Sequence, residues 1–133
     1  MMNNDDQLQR LQKLQDEIMK WSDDTFGKYR SASPMAYHLK KESDELIYAL
    51  KQLEEESYTN SDISAIGVQE LIRKNNRILF ELADCFSLII DCAAHAQIKM
   101  NRLIDATEEK LQINKERKWG KPDVNGVVEH IET

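Results

Sequence analysis

Two pairs of carboxylates stand where a helical pattern would place apolar residues, and they are the side chains best suited to chemistry. In one apolar segment the inward rhythm of three- and four-residue steps reaches Glu42, and Glu45 follows on the flank of the same face. In a later and more apolar segment, Glu81 and Asp84 likewise stand on the inward face of a predicted helix. Because residues three or four apart are neighbours on a helix, each pair could reach one small site.

Ionised carboxylates are costly to bury unless they are paired or bound to a metal. A single acid usually faces water or meets a Lys or Arg side chain, but two pairs that face a core favour a binding site. Four oxygen ligands suit a hard cation such as Mg²⁺ or Mn²⁺. Asp91 and His95 lie on the same predicted helix face as Glu81 and Asp84. Because they are four residues apart, an Asp–His hydrogen bond in the core is more common for them than a metal site.

Other metal centres fit the sequence less well. A carboxylate-bridged di-iron centre in a helical bundle needs Glu-x-x-His pairs, and the chain has none among its three histidines. Cys85 and Cys92 form no CxxC motif for a thiolate site. They lie seven residues apart in one predicted helix, or about 10 Å along its axis, so they cannot form a disulfide within the helix. Both are predicted to be reduced residues of the core.

A second constellation is basic. Lys110, Asn114 and Arg117 are spaced by four and three residues, and Trp119 follows closely. Lys and Arg bind phosphate oxygens, although a solvated basic face near a helix C-terminus is the simpler interpretation when it stands alone. Five aromatic residues are candidates for stacking a base, with core packing expected more often for each: Trp21, Phe26, Tyr29, Tyr37 and Trp119.

The composition predicts an all-α fold. The chain has 133 residues, of which 41% are hydrophobic and 32% charged, with only 4 Gly and 2 Pro, and this favours helices in a single domain over 1–133. The net charge of −6 argues against nucleic acid as a partner. Because segment 1–15 is polar and 78–98 carries three carboxylates, we expect no signal peptide, no membrane partner and a cytoplasmic location.

Four helices are needed to position these residues. The first helix is expected to end before Ser22-Asp23-Asp24. The second helix is expected to have Ser33 as its N-cap and Pro34 at its first position. The predicted apolar faces are Leu8, Leu11, Leu14, Ile18 and Trp21 in the first helix, and Met35, Leu39, Leu46, Ala49, Leu50 and Leu53 in the second. The predicted ranges are 5–21, about 33–56, 68–99 and 101–118, with a polar connection over 57–67 and a tail over 119–133.

The ordered set of motifs resembles the MazG-like all-α NTP pyrophosphohydrolases, and more closely their phage and bacterial dATP/dGTP diphosphohydrolase branch. The resemblance covers roughly 21–130 and is fairly specific through its Trp-Gly ending. Lys41 stands where many members have a first Glu, and the spacer between the acid pairs is longer than usual. The motifs are His38-Leu39-x-Lys41-Glu42-x-x-Glu45, Glu81-x-x-Asp84-Cys85, and Lys110-x-x-x-Asn114-Lys115-x-Arg117-Lys118-Trp119-Gly120-x-Pro122-Asp123 with Gly126 and Glu129-His130.

This resemblance implies a four-helix MazG-like bundle that forms dimers or tetramers. It implies that Glu42, Glu45, Glu81 and Asp84 hold two or three Mg²⁺ or Mn²⁺ ions and that Glu42 or Glu45 orients or deprotonates the attacking water. Attack at the α-phosphorus would release a nucleoside monophosphate and pyrophosphate. The resemblance implies six substrate-binding residues: Lys110, Asn114, Arg117, Trp119, His38 and Asp91. Asp91 would assist the metal ligands without binding the metal itself.

The substrate follows from resemblance alone. The chain is similar in size and ending to a subgroup, MazZ, that cleaves (d)GTP in phages with 2-aminoadenine DNA, so dGTP or GTP is the leading substrate. The alternatives are a house-cleaning pyrophosphohydrolase for another or modified (d)NTP, a non-enzymatic acidic helical interaction protein, and a di-iron redox protein.

Overall fold

The computed structural model describes residues 3–59 and 65–132, apart from the side chains of 56–59, 65–68 and 71. Within these residues the fold is all-α, as predicted, with no strand. The chain divides into two compact units, Met1–Met100 and Asn101–Thr133; a single domain over 1–133 stays a prediction. The four helices are α1 (Asn4–Phe26), α2 (Ser33–Thr59), α3 (Ala65–His95) and α4 (Met100–Glu116).

Helix α1 is longer than predicted. Asn3 caps its start, where the side-chain oxygen accepts from the Asp6 N–H at 2.8 Å, and Gly27 ends it with a φ of 108° that favours glycine. The predicted break at 22–24 is wrong because tertiary contacts hold these residues in the helix. Ser22 is buried and accepts from Arg30, while Asp23 binds His95 on α3.

The face that α1 buries is mixed, and the predicted apolar face is confirmed only in part: Leu8, Leu11 and Ile18 are half-buried. Gln15 and Ser22 are its buried residues, whereas Leu14 is 41% exposed and Trp21 is 60% exposed. The Gln15 Nε2 donates to the carbonyl of Ile90 at 3.3 Å and to that of Ile98 at 3.0 Å. The side-chain amide thus supplies a donor to one carbonyl of α3 and to one carbonyl of the connection that follows this helix.

Helices α2 and α3 run antiparallel and form the apolar core. The Cys92 thiol contacts the Ala32 carbonyl at 3.6 Å near one end, and the Arg77 guanidinium donates to the Gln52 side chain at 2.8 Å near the other. Helix α3 packs against both α1 and α2, which do not contact each other within the described residues. Both thiols are free, as predicted. The buried apolar residues of these two helices are Met35, Ala49, Cys85, Ile90 and Ala93.

The ends of α2 and α3 differ from the predicted ones. The polar connection predicted over 57–67 is too long, because α2 continues to Thr59 and α3 begins at Ala65; its middle, 60–64, lies outside the described residues. Helix α3 ends at His95, where Gln97 takes a φ of 61° and the Ile98 N–H donates to the Ala93 carbonyl at 2.8 Å. No helix in the described part of the chain is long and apolar enough to cross a membrane.

The second unit consists of α4 and the tail that follows it. The tail folds back in an isolated antiparallel bridge between Trp119 and His130, and the Gly120 N–H donates to the Glu129 carbonyl at 2.9 Å. A Cβ on Gly120 would lie 3.3 Å from that carbonyl oxygen, so glycine permits the close approach. The Asp123 side chain closes the turn through the Asn125 and Val127 N–H groups, and the described part of the tail is a loop with one short turn.

The buried amide gives the first testable prediction. Gln15→Leu keeps a similar volume but leaves two carbonyls without their donor, so we expect the free energy of unfolding to fall by about 1–3 kcal/mol. Gln9→Leu, on the exposed side of α1, is the matched control and should change it by no more than about 0.5 kcal/mol. Urea denaturation of both variants checks this, and equal stabilities would contradict the role assigned to Gln15.

Candidate active site

Helices α2 and α3 bring three of the four predicted carboxylates together. One oxygen from each of Glu42, Glu45 and Glu81 can be chosen so that all three lie within 4.8 Å of one another. The spacing of Glu42 and Glu45 places both on neighbouring positions of α2, and antiparallel packing brings Glu81 of α3 to the same level. We refer to these residues as the carboxylate triad. Glu42 and Glu81 are half-buried, and Glu45 is exposed.

One oxygen of the triad lacks a partner. Glu81 Oε2 is buried and accepts no hydrogen bond from the described residues. A buried carboxylate oxygen without a donor or cation destabilises the fold. A hard divalent cation bound by oxygen ligands would remove that cost, so this donor set fits the metal that the sequence predicts.

The electrostatics of Glu42 point the same way. Burial raises the pKa of the Glu42 carboxyl, and a hydrogen bond and charge from Glu45 and the charge of Asp84 raise it further. His38 opposes this shift, with its Nε2 3.0 Å from Glu42 Oε1. The effects of burial, Glu45 and Asp84 on the pKa of Glu42 therefore exceed the opposing effect of His38.

Asp84 and Cys85 surround the triad. Asp84 is exposed and stands outside the close group, although its charge reaches Glu42. Cys85 is buried, and this burial, followed by the charges of Glu42, Asp84 and Glu81, raises the pKa of its thiol. Sequence reasoning assigned Cys85 to the core and missed its position beside the acids; the Asp84-Cys85 adjacency was the only available signal.

Asp91 lies in a different group from the triad. The expected Asp–His contact is confirmed: His95 Nδ1 lies 2.9 Å from the Asp91 carbonyl oxygen and 3.0 Å from Asp91 Oδ1. The other ring nitrogen, Nε2, lies 2.9 Å from Asp23 Oδ1. Sequence reasoning missed Asp23, because no local pattern links residues of α1 and α3 that are so far apart in the chain.

The predicted basic residues lie in the second unit. Arg117 Nη1 donates to the Asn114 side-chain oxygen at 3.4 Å, and the Trp119 indole N–H donates to the Asn114 carbonyl at 2.9 Å. The Trp119 ring also meets the His130 ring edge-to-face, with centroids 6.1 Å apart. Lys110 is exposed, one helical turn before Asn114. The end of α4 and the tail thus form one local structure that presents cationic side chains.

The aromatic candidates are less covered than core packing would require. Trp21 and Phe26 form an edge-to-face pair with centroids 5.5 Å apart, and the Arg30 guanidinium lies 5.2 Å from the Phe26 centroid. The expectation that most of these rings pack in the core is wrong, because each ring keeps a large exposed fraction. Their exposed fractions are 60% for Trp21, 58% for Phe26, 100% for Tyr29, 77% for Tyr37 and 45% for Trp119.

A comparison with protein families identifies the chain. The family model described as dATP/dGTP pyrophosphohydrolase matches residues 57–133, which is more than half of the chain. The match includes Glu81, Asp84 and the basic segment of the second unit, and it leaves out Glu42 and Glu45. No curated protein and no solved structure matches the chain. The chain therefore belongs to the dATP/dGTP pyrophosphohydrolase family, which makes it a nucleotide-cleaving enzyme and excludes the non-enzymatic interpretation.

Proposed function

We propose that this protein is a metal-dependent pyrophosphohydrolase that cleaves a purine (d)NTP, with dGTP and GTP as leading substrates, to the (d)NMP and pyrophosphate. The observation that carries the proposal is the carboxylate triad, which joins α2 to α3 and leaves a buried Glu81 oxygen without a partner. The family supplies the reaction class. The preference for guanine and the supply of dGMP for 2-aminoadenine nucleotide synthesis rest on the resemblance in size and ending.

Four carboxylates would hold the cation. Glu42, Glu45 and Glu81 already lie close together, and the charge of Asp84 reaches Glu42. Mg²⁺ or Mn²⁺ suits this all-oxygen donor set, and the resemblance implies two or three ions. When bound, the ions neutralise phosphate charge and lower the pKa of a water molecule.

The reaction breaks one bond and forms another. The oxygen of water attacks the α-phosphorus, the bond from this phosphorus to the bridging oxygen breaks, and pyrophosphate leaves. Glu42 or Glu45 orients the water and accepts its proton. His38, 3.0 Å from Glu42, fixes the position of that carboxylate and contacts the substrate from the exposed side of α2.

The remaining predicted residues bind the substrate or support the helix that carries the site. Lys110 and Arg117 bind the phosphate oxygens, because they carry positive charge. Asn114 and Trp119 contact the nucleotide and shape the end of α4, where Trp119 already donates to the Asn114 carbonyl. Asp91 supports α3 from outside the metal ligands, through its buried contact with His95.

Self-association belongs to the same proposal. One face of α3 exposes apolar side chains at steps of three, four and three residues, which is the spacing of a helix seam that packs on another helix. Such a contiguous exposed stripe is unusual in a monomer. We therefore expect a homodimer or homotetramer that buries this stripe. Its members and exposed fractions are Leu79 (60%), Leu82 (49%), Phe86 (47%) and Ile89 (41%).

The reaction and the base are tested together. We expect incubation with each of the common NTPs and dNTPs, with Mg²⁺ or Mn²⁺, to give monophosphate and pyrophosphate from dGTP and GTP, as identified by chromatography. Turnover of a different or modified nucleotide would replace the guanine assignment with a house-cleaning role. Release of inorganic phosphate in place of pyrophosphate would contradict cleavage at the α-phosphorus.

The carboxylate triad is tested by an isosteric change. Glu45→Gln removes one charge from the proposed metal ligands, so we expect turnover to fall by at least about 100-fold while the helical circular dichroism stays unchanged. In the wild type, Mg²⁺ at 100-fold excess over Kd should stabilise the protein by about 2.7 kcal/mol, and the variant should lose most of this shift.

Asp44→Asn is the control for that experiment. Asp44 is an exposed acid next to Glu45 on α2, and it is not a member of the triad. Its replacement changes the net charge equally and should leave both turnover and the Mg²⁺ shift near wild type. Equal effects of the two substitutions would show that net charge, rather than a built site, is responsible.

The exposed stripe on α3 is tested by charge. Phe86→Glu places a carboxylate in the proposed seam, where burial of an ionised group is unfavourable, so we expect sedimentation velocity to show a shift toward monomer. Phe80→Glu is the matched control, because Phe80 is 69% exposed on the same helix but off the stripe. A monomeric wild type, or an unchanged Phe86→Glu oligomer, would remove the stripe from the interface.

A further inference from the structure

A buried charged group joins α1 to α3 apart from the carboxylate triad. The His95 side chain is 3% exposed and that of Asp91 is 7% exposed, while Asp23 reaches the group from α1. His95 Nε2 lies 2.9 Å from Asp23 Oδ1, and Nδ1 lies 2.9 Å from the Asp91 carbonyl oxygen. Both ring nitrogens therefore face oxygen acceptors.

This geometry determines which protonation state of the His95 ring satisfies the oxygen acceptors around it. A neutral imidazole has one N–H donor and one acceptor nitrogen, whereas the imidazolium donates from both nitrogens. Asp91 Oδ1 adds to the demand, since it is buried without a hydrogen bond of its own but lies 3.0 Å from Nδ1. Only the charged ring satisfies both acceptors and compensates the buried carboxylate.

The most deeply buried residues of α1, Gln15 and Ser22, are both polar. Its apolar residues Leu8, Leu11 and Ile18 are only half-buried. Within the described residues α1 contacts α3 but not α2. The position of the C-terminal part of α1 thus depends in part on polar contacts, and the group around His95 lies there.

We propose that Asp23, His95 and Asp91 form a charge clamp that holds the C-terminal part of α1 on α3 and releases it when His95 loses its proton. Deprotonation turns one ring nitrogen into an acceptor that faces another acceptor, and it leaves buried carboxylate charge without a counter-ion. Truncating one partner of a buried ion pair is strongly destabilising for the same reason. The local result is that α1 opens from α3 while the apolar core between α2 and α3 remains intact.

The direction of the pH dependence follows from the groups that surround His95. Burial lowers the pKa of its imidazole, but the hydrogen bonds and charges of Asp91, from its own helix, and of Asp23, from α1, outweigh burial and raise the pKa above 6.5. Arg30, from the connection to α2, binds Ser22 next to Asp23. The clamp is therefore complete below the ordinary pKa of histidine and is lost as the pH rises through the raised value.

Hydrogen exchange of the full-length protein, read by mass spectrometry, tests the clamp. After correction for intrinsic exchange rates, protection of the C-terminal half of α1 should fall at least about tenfold relative to α2 between about pH 6 and about pH 9. Asp23→Asn keeps the size of the side chain but removes its charge, so the fall should move to lower pH. Imidazole NMR signals assigned with His95→Gln should titrate over the same range.

The adjacent Asp24→Asn is the matched control. Asp24 is exposed and pairs with Lys20 at 2.8 Å, so its replacement should leave the exchange profile unchanged. Constant relative protection of α1 across this pH range in the wild type would overturn the proposal. An equal displacement of the profile by Asp23→Asn and Asp24→Asn would also overturn it, because the effect would then reflect general charge rather than the clamp.

Discussion

Mutual repulsion among the carboxylates between α2 and α3 is the constraint on which the rest of the structure depends. Glu42, Glu45 and Glu81 bring their oxygens within 4.8 Å of one another, and like charges at this distance oppose folding unless a cation or proton intervenes. The apolar packing around Met35, Ala49 and Ile90 keeps the two helices together. The site is therefore held in an unfavourable arrangement that a divalent cation relieves, which makes cation affinity a consequence of packing.

The sequence was sufficient to predict the all-α fold, the order of the helices and the meeting of Glu42 and Glu45 with Glu81. These features depend on periodicity, and periodicity is local information: Glu42 and Glu81 interrupt clear apolar stripes, and residues at such positions face the core whatever surrounds them. The same reasoning correctly paired Asp91 with His95, because residues four apart on a helix are neighbours.

What the sequence could not provide depends on contacts between distant segments. The break predicted at 22–24 does not occur because Ser22 and Asp23 are engaged by Arg30 and His95, and tertiary contacts override local propensity. Gln15 is buried although its type is usually exposed, and its side chain donates to the carbonyls of Ile90 and Ile98, which are distant in the sequence. The sequence predicts Cys85 as an ordinary core residue. Its acidic surroundings were not predictable, because they include Glu42 from α2 as well as acids of its own helix.

The first unit thus uses two different means of joining helices. The α2–α3 contact has an apolar core, and this core keeps the carboxylate triad assembled. The α1–α3 contact includes a buried amide and a histidine between two carboxylates, so its strength depends in part on one proton. Loss of that proton acts on the α1–α3 contact and leaves the apolar residues between α2 and α3 in contact. Opening of α1 therefore leaves Glu42 and Glu81 in place.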